Sequence, residues 1–310
     1  MRVVMMGSGG VGGFFGGLLA HAGHDVSFIA RGSHLEAMRR DGLTLERDTG
    51  PAIHVPKVRV SDDPASLAGA DIVVISVKLW DTEAAARAVK PIVGPETGVV
   101  SLQNGVVKDD ILRREFAPAQ VMGGVGYVAT HIARPGVIHQ TGTMQRIVVG
   151  EYDGRPSERA RWLCDALASV GVKAEVSGDI RRAIWEKYVF LVGLSATTTA
   201  TRRKLGAVRD NPRTRAFLLD IMRETVAVGR ALGVALPEDF ADNRLAFADT
   251  LPYDMTSSMH HDLERGNRLE VDWLSGGVVD LGREAGVATP MNRAVCDILA
   301  LHSAGKDAKR

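Results

Sequence analysis

The chain is poor in the features that would assign it to a class outright. Only two of its 310 residues are cysteine, Cys164 and Cys296. Each sits in an apolar, helix-patterned stretch with no second Cys or His at ligand spacing. That excludes a disulfide framework, gives no expectation of a metal site, and reads as two buried thiols. Such usage fits a reducing, cytoplasmic setting. Excess charge is also missing: 38 Lys plus Arg stand against 37 Asp plus Glu. No global field gathers nucleic acid or anionic membrane, and the balance points to a small-molecule partner. The basic clusters Arg181-Arg182 and Arg202-Arg203-Lys204 are short, lack interleaved aromatics, and read as solvated helix faces. No run approaches the roughly 20 apolar residues of a membrane span. The N-terminus passes from one Arg directly into a strand and a glycine loop, unlike a signal peptide. Only the last residues, Ala304 to Arg310, suggest a loose tail.

What is present begins with an apolar run, Val3-Val4-Met5-Met6, that breaks into Gly7-Ser8-Gly9-Gly10-Val11-Gly12 and then a helical pattern from about Val11 to His21. This is the form of a dinucleotide cradle. Gly7 permits the tight turn out of the strand, Gly9 lets a pyrophosphate approach the backbone, and Gly12 lets the helix pack close to the sheet. The helix start offers free N–H groups and a positive dipole end to phosphate. A second apolar run, Val26 to Ala30, ends at Arg31. A carboxylate there would accept an NAD ribose hydroxyl and repel a 2′-phosphate, whereas a guanidinium holds that phosphate through paired hydrogen bonds. Arg31 therefore favours NADPH; a solvated loop arginine is the alternative, which leaves the cofactor preference open.

Short β-rich runs alternate with helical patterns through the first half. Strands are expected at Lys57 to Val60, Ile72 to Val77, Val99 to Leu102, Val121 to Val128 and Lys173 to Val176, with a closing helix from Arg155 to Val170. The Gly136 to Gly150 region reads as an edge hairpin turning at Thr141-Gly142-Thr143. From Asp179, a candidate N-cap, almost every segment has helical periodicity: Ile180 to Thr199, Pro212 to Leu232, Pro237 to Leu251, Ser258 to Glu264, Asp272 to Ala285 and Asn292 to Ser303. The expected fold is a Rossmann-type, doubly wound α/β domain over residues 1–178 and an all-α domain over 179–310, with the cleft between them as the default substrate site.

The motifs, in this order, resemble those of the ketopantoate reductase (2-dehydropantoate 2-reductase) family. The residues that carry the resemblance are the glycine loop, Arg31, Val77-Lys78, Gln103-Asn104-Gly105-Val106, Trp185-Glu186-Lys187, Ser257-Ser258-Met259, Leu269-Glu270-Val271-Asp272 and Gly286 to Asn292. The resemblance implies NADPH-dependent reduction of a 2-oxo acid, ketopantoate by default, with a homodimer among the assemblies to expect. It assigns Lys187 as the acid that protonates the carbonyl oxygen. That assignment agrees with the chemistry, because an ammonium group both stabilises a developing alkoxide and supplies its proton. The resemblance further implies that Glu270 orients the lysine or the substrate, that Asn104 positions the nicotinamide ribose and substrate, that Lys78 approaches the 2′-phosphate, and that Ser258 holds the substrate carboxylate. Each has a plainer account: a solvated carboxylate at a helix start, an Asn-Gly turn, a strand-end lysine reaching water, and a helix N-cap. Asp262 is assigned nothing beyond orienting its neighbours.

Three substrate-end positions depart from the family pattern, two of them to apolar residues. Lys187, Leu191 and Ser195 lie four residues apart on one helix face, and the family commonly has asparagine where Leu191 and Ser195 stand. Met255 also replaces an asparagine. The carboxylate and ketone ends of the site are thus kept while the end that reads a substrate hydroxyl is altered, which points to a less hydroxylated or larger 2-oxo acid, or to a related dehydrogenase that oxidises a different 2-hydroxy acid. A non-catalytic NADP(H)-binding regulator is the reading from another class, and it gives no use for Lys187.

Overall fold

The computed structural model describes residues 1–306. By packing, the chain divides into two compact units. One is Met1–Gln103 with Lys108–Ala183, and the other is Asn104–Val107 with the chain from Ile184 onward.

The first unit is organised on a ten-stranded sheet. Its elements run β1 (Arg2–Met6), α1 (Gly10–His21), β2 (Asp25–Ile29), α2 (Gly32–Asp41), β3 (Leu43–Arg47), β4 (Ile53–Val55), β5 (Arg59–Ser61), β6 (Ala70–Ile75), α3 (Thr82–Val89), β7 (Val93–Ser101), α4 (Lys108–Glu115), β8 (Val121–Arg134), β9 (Val137–Gly150), α5 (Glu158–Ala168) and β10 (Lys173–Val176). The order across the sheet is β4-β3-β9-β8-β7-β6-β1-β2-β5, with β10 beside β9. From β8 through β5 all pairings are parallel. The chain leaves β1 for β2 on one side, and β6 lies on the other. The carboxyl end of β1 is therefore a switch point, where crossovers diverge and leave a crevice.

Alternation along the central strands explains why the sheet is covered twice. Val3 and Met5 of β1, with Ile72 and Val74 of β6, face a core made with Phe14, Phe15 and Leu18 of α1. Val4 and Met6, with Val73 and Ile75, face the opposite core, made with Ala85, Ala86 and Val89 of α3 and Leu112 of α4. A strand buried on both faces must read as continuous apolar sequence, and these do.

The edge differs from the sequence expectation. The hairpin turns at Pro135-Gly136 between β8 and β9, where Arg134 pairs with Val137, and not at Thr141-Gly142-Thr143. Gly136 has φ +77, a left-handed conformation that a tight hairpin requires. The stretch around Gly142 is instead a bulge, since the register jumps from Val128↔Gln145 to Ala129↔Thr141. This divides β9: Val137 to Gln140 pair with β3, and Arg146 to Val149 pair with β10. The short strands β3 and β4 and the helix α2 had no reading in the sequence.

The second unit holds the remaining helices, apart from the first turn of α6: α6 (Ile180–Thr201), α7 (Leu205–Asp210), α8 (Pro212–Ala231), α9 (Phe240–Asp249), α10 (Ser258–Arg265), α11 (Ser275–Ala285) and α12 (Pro290–Leu299). Asp179 caps α6, accepting a hydrogen bond from the Arg182 N–H at 3.0 Å. Ile184, Trp185 and Val189 of α6 are buried, as their spacing requires. Trp185 and Tyr188 meet edge to face at 5.6 Å, and with Val192, Leu218, Met222 and Val278 they form the helical core. The expected loose tail is not loose at its start. Gly305 N–H donates to His302 O and Lys306 N–H to Gly266 O, while residues 307–310 lie outside the described residues. Among the described residues, no helix is long and apolar enough to cross a membrane.

Candidate active site

The glycine loop sits at the switch point, and each glycine has a separate physical reason. Gly7 has φ +101. Gly12 lies where a Cβ would come within 2.1 Å of both the Gly7 carbonyl oxygen and Ser76 Oγ, so the helix start packs directly on the loop and the end of β6. Ser76 Oγ closes this contact by donating to Gly7 O at 2.6 Å. Gly9 is the opposite case, with no heavy atom within 4 Å of where its Cβ would lie. The space above Gly9 is open, and the first-turn N–H groups of Gly10, Val11 and Gly12 have no intrahelical acceptor. This geometry fits a dinucleotide pyrophosphate. Ser8 contributes backbone only, because its hydroxyl is buried and donates to Ile29 O at 2.9 Å.

Arg31 is exposed and is the N-cap residue of α2, just past the end of β2. No Asp or Glu stands at positions 30–33. Lys78 is exposed beyond the end of β6, with its ammonium 5.7 Å from the Trp80 ring centroid. Because β6, β1 and β2 are adjacent and parallel, Lys78, the glycine loop and Arg31 all lie at one edge of the sheet.

Next along that edge, the end of β7 is tied to the end of β6 by Gln103. Its Nε2 donates to Val77 O at 2.9 Å and Thr82 Oγ1 at 2.8 Å, and its Oε1 accepts from Ser101 Oγ at 2.9 Å. The chain is pinned again at Lys108, which is 1% exposed and donates to Ser101 O at 3.1 Å and to both oxygens of the equally buried Asp109. Tyr152 OH completes the cluster, donating to Asp109 Oδ2 at 2.5 Å, and burial pushes its phenol pKa upward. Removing one partner from such a buried pair costs about 3–5 kcal/mol. Gln103 was legible only as part of a motif, and the Lys108–Asp109 pair had no reading in the sequence.

Between these two anchors lies the Asn104–Val107 segment, which packs with the helical unit. Gly105 has φ +91, giving the sharp turn after Asn104, and Val106 packs against the helical core. Lys187 Nζ donates to Asn104 Oδ1 at 2.8 Å. A lysine ammonium only donates, so the carboxamide oxygen must face it and the Asn104 NH₂ is turned elsewhere. The structure thus brings together Lys187 and Asn104, two residues 83 apart in sequence.

The other candidates surround the same helix. Tyr188, next to Lys187, is fully buried and donates to Leu274 O at 2.6 Å. Leu274 N–H and Trp273 N–H in turn donate to Glu270 O. The turn that carries the buried Glu270 is therefore fixed to α6 beside Lys187. Leu191 and Met255 are half-buried and pack against the helical core, and Met255 O accepts from Leu205 N–H at 2.8 Å.

Ser195 is 1% exposed and Thr199 is fully buried, and neither hydroxyl has a partner among the described residues. Their neighbours Thr197, Thr198 and Thr201 bond the carbonyls four residues back. The N-cap alternative for Ser258 is corrected. Ser257 is the cap, accepting from His260 N–H at 3.1 Å and lying 3.1 Å from Thr198 Oγ1, which leaves Ser258 exposed in the first turn of α10. Asp262 Oδ1 accepts from Asn267 Nδ2 at 3.0 Å.

Comparison with known proteins agrees with this geometry. A family profile described as "Ketopantoate reductase PanE/ApbA" matches residues 3–154, and its C-terminal counterpart matches 179–303. The chain is 34% identical to the 2-dehydropantoate 2-reductase of Archaeoglobus fulgidus over 96% of each protein. It superposes on the crystal structure of a PanE/ApbA family ketopantoate reductase from Ralstonia eutropha JMP134 with a TM-score of 0.88, 37% identity and 98% coverage of each chain. A D-mandelate dehydrogenase solved with NADH and anilino(oxo)acetate shares the fold, with a TM-score of 0.89, at 19% identity and 98% coverage of each chain.

Proposed function

Because this chain belongs to the ketopantoate reductase family of nicotinamide-dependent oxidoreductases that act on CH–OH groups, we propose that it reduces a 2-oxo acid with NADPH and uses Lys187 as the proton donor. The contact between Lys187 Nζ and Asn104 Oδ1 carries this reading. A neutral carboxamide oxygen that accepts from the ammonium directs it, and a directed ammonium is what protonating an oxygen that gains negative charge requires.

When bound at the glycine loop, NADPH would supply a hydride for the carbonyl carbon. Lys187 Nζ gives a proton to the carbonyl oxygen as that oxygen becomes an alkoxide, so that a 2-oxo acid becomes a 2-hydroxy acid and the amine is re-protonated from solvent. Asn104 keeps the ammonium in line through Oδ1 and offers its NH₂ to the substrate or the nicotinamide ribose. The exposed Ser258 hydroxyl donates to the substrate carboxylate, and Glu270, set in a buried turn, orients the lysine or the substrate. In the first unit, the loop Gly7-Ser8-Gly9-Gly10-Val11-Gly12 takes the pyrophosphate on its backbone N–H groups, and Arg31 with Lys78 takes the 2′-phosphate. The absence of a carboxylate after β2 supports NADPH over NADH.

Ketopantoate is the default substrate. A second reading, a less hydroxylated or larger 2-oxo acid, is favoured by Leu191 and Met255, apolar side chains that rest on the helical core. Against it stands the buried, unpartnered Ser195 hydroxyl on the same helix line, which offers a hydrogen bond to a substrate hydroxyl. The test is NADPH consumption with ketopantoate, 2-oxoisovalerate and longer branched 2-oxo acids, with NADH run beside it. Preference for ketopantoate in kcat/KM supports the default and sinks the second reading. Preference for another oxo acid does the reverse. Absence of turnover with every acid, with NADPH still bound, would leave the regulator.

A further inference from the structure

His34 lies in the first turn of α2, three residues beyond Arg31, and is 9% exposed. The Gly136 N–H donates to its Nδ1 at 3.0 Å, and its Nε2 lies 2.9 Å from the Ser8 carbonyl oxygen. A peptide N–H can only donate, so Nδ1 carries no proton. The single proton of the neutral ring is then on Nε2 and is donated to Ser8 O. One imidazole therefore joins the glycine loop, α2 and the β8–β9 hairpin turn, whose Gly136 carbonyl is itself held by Thr44 N–H.

The contact has a specific consequence for the loop. Ser8 is already located by two bonds to Ile29 O, one from its N–H at 3.1 Å and one from its hydroxyl at 2.9 Å. Neither bond fixes the plane of the peptide that follows. In a trans peptide the carbonyl oxygen and the next N–H point in opposite directions, so a donor on Ser8 O fixes the direction of Gly9 N–H. Gly9 is the loop residue with open space beside it.

We propose that His34 is a positioning residue for the dinucleotide cradle: by holding the Ser8 carbonyl it aims the Gly9 N–H at the bound pyrophosphate. The inference rests on the reading that this loop binds NADPH. Burial lowers the imidazole's pKa below its ordinary value, which preserves the neutral donor-and-acceptor pattern near neutral pH.

The experiment measures the Kd of NADPH by direct titration for wild type, His34→Ala, His34→Gln and His34→Asn, together with kcat at saturating NADPH and the KM of the oxo acid. A glutamine amide reaches the place of Nε2 and can still donate to Ser8 O. An asparagine oxygen reaches the place of Nδ1 and can only accept from Gly136. The expected result is an NADPH affinity about tenfold weaker in His34→Ala, comparable to the loss of one buried hydrogen bond, with kcat and the oxo acid KM unchanged. His34→Gln should bind NADPH more tightly than His34→Asn. The reverse order, or folded variants that all bind within about twofold of wild type, overturns the inference while leaving the cofactor reading intact. If wild type itself bound no NADPH, the cofactor reading would fail and this inference with it. Should His34→Ala not fold, the Gln and Asn pair decides alone.

Discussion

The glycine cradle and the lysine site are built in opposite ways. On the proposed reading the cradle is a backbone device: peptide N–H groups would be its phosphate ligands, and the side chains of Ser8, Ser76 and His34 bond loop or neighbouring carbonyls and hold the peptides in place. The lysine site is a side-chain device, in which Lys187, Asn104, Glu270 and Ser258 project from a helix, a turn, a loop and a helix start. A backbone site tolerates little change of sequence where the chain folds on itself, because a Cβ at Gly12 would lie 2.1 Å from two fixed oxygens. A side-chain site can change specificity one residue at a time without disturbing its frame. On the proposed assignment, the cofactor end keeps the family's motif residues here, while the substrate end carries Leu191 and Met255.

The contrast breaks most clearly at Lys187. Lys187→Ala removes the proposed proton donor and touches no backbone device, so kcat should fall by about 10²- to 10⁴-fold while the Kd of NADPH and the melting temperature stay near wild type. Loss of NADPH affinity in that variant would show that the two devices are not independent. Unchanged turnover would remove Lys187 from the mechanism.

Within the cradle, two glycines separate binding from folding. Gly9→Val places its Cβ in open space, so stability should hold while NADPH binding weakens by roughly 10- to 100-fold, about 1.4 to 2.8 kcal/mol. Gly12→Ala overpacks a closed contact and should lower stability by about 1–3 kcal/mol before any cofactor is added. Chemical denaturation and NADPH titration on both variants check this. Equal effects of the two substitutions on stability would mean that the space at Gly9 is filled in the folded protein.

A smaller effect is expected at the substrate end. Leu191→Asn should raise kcat/KM for ketopantoate relative to 2-oxoisovalerate by about tenfold, since a carboxamide selects a hydroxyl that a leucine ignores. NADPH affinity should not move. No change in the ratio would place hydroxyl recognition elsewhere, with the unpartnered Ser195 hydroxyl as the next residue to vary.

The same contrast explains what could be read from sequence. The cradle was legible because backbone chemistry leaves glycines at fixed spacing after a strand, and the continuous apolar runs of β1 and β6 announced a doubly covered sheet. Lys187, Asn104 and Glu270 were singled out through resemblance, since a lysine on an amphipathic helix has no local signature. The hairpin turn was misplaced because Thr-Gly-Thr and Pro-Gly both signal turns, and only pairing with β3 and β10 selects Gly136 for the turn and leaves Gly142 in a bulge. The anchors escaped altogether: His34, Lys108 and Asp109 look like surface residues until partners 102, 7 and 43 positions away, Gly136, Ser101 and Tyr152, are brought to them.

The smallest predicted effect concerns acid. His34 in the first unit and His260 in the second are both buried, and desolvation holds both below the ordinary value of 6.5. Around His260, Glu264 favours the charged form while Lys204 and His261 oppose it. In each case the unfolded chain takes up the proton first as pH falls. The stabilising contribution is therefore complete above 6.5 and is lost progressively from there down to the folded-state value, with a slope per group of at most about 1.4 kcal/mol per pH unit. Urea midpoints measured from neutral to mildly acidic pH should fall for wild type and fall less for His34→Gln and for His260→Gln. If His34→Gln alone flattens the profile, the backbone device is the acid-labile one, since that imidazole is the titratable group that holds the Ser8 carbonyl. If His260→Gln alone does, the weakness belongs to the helix start that carries Ser258, and acid should then raise the KM of the oxo acid before it weakens NADPH.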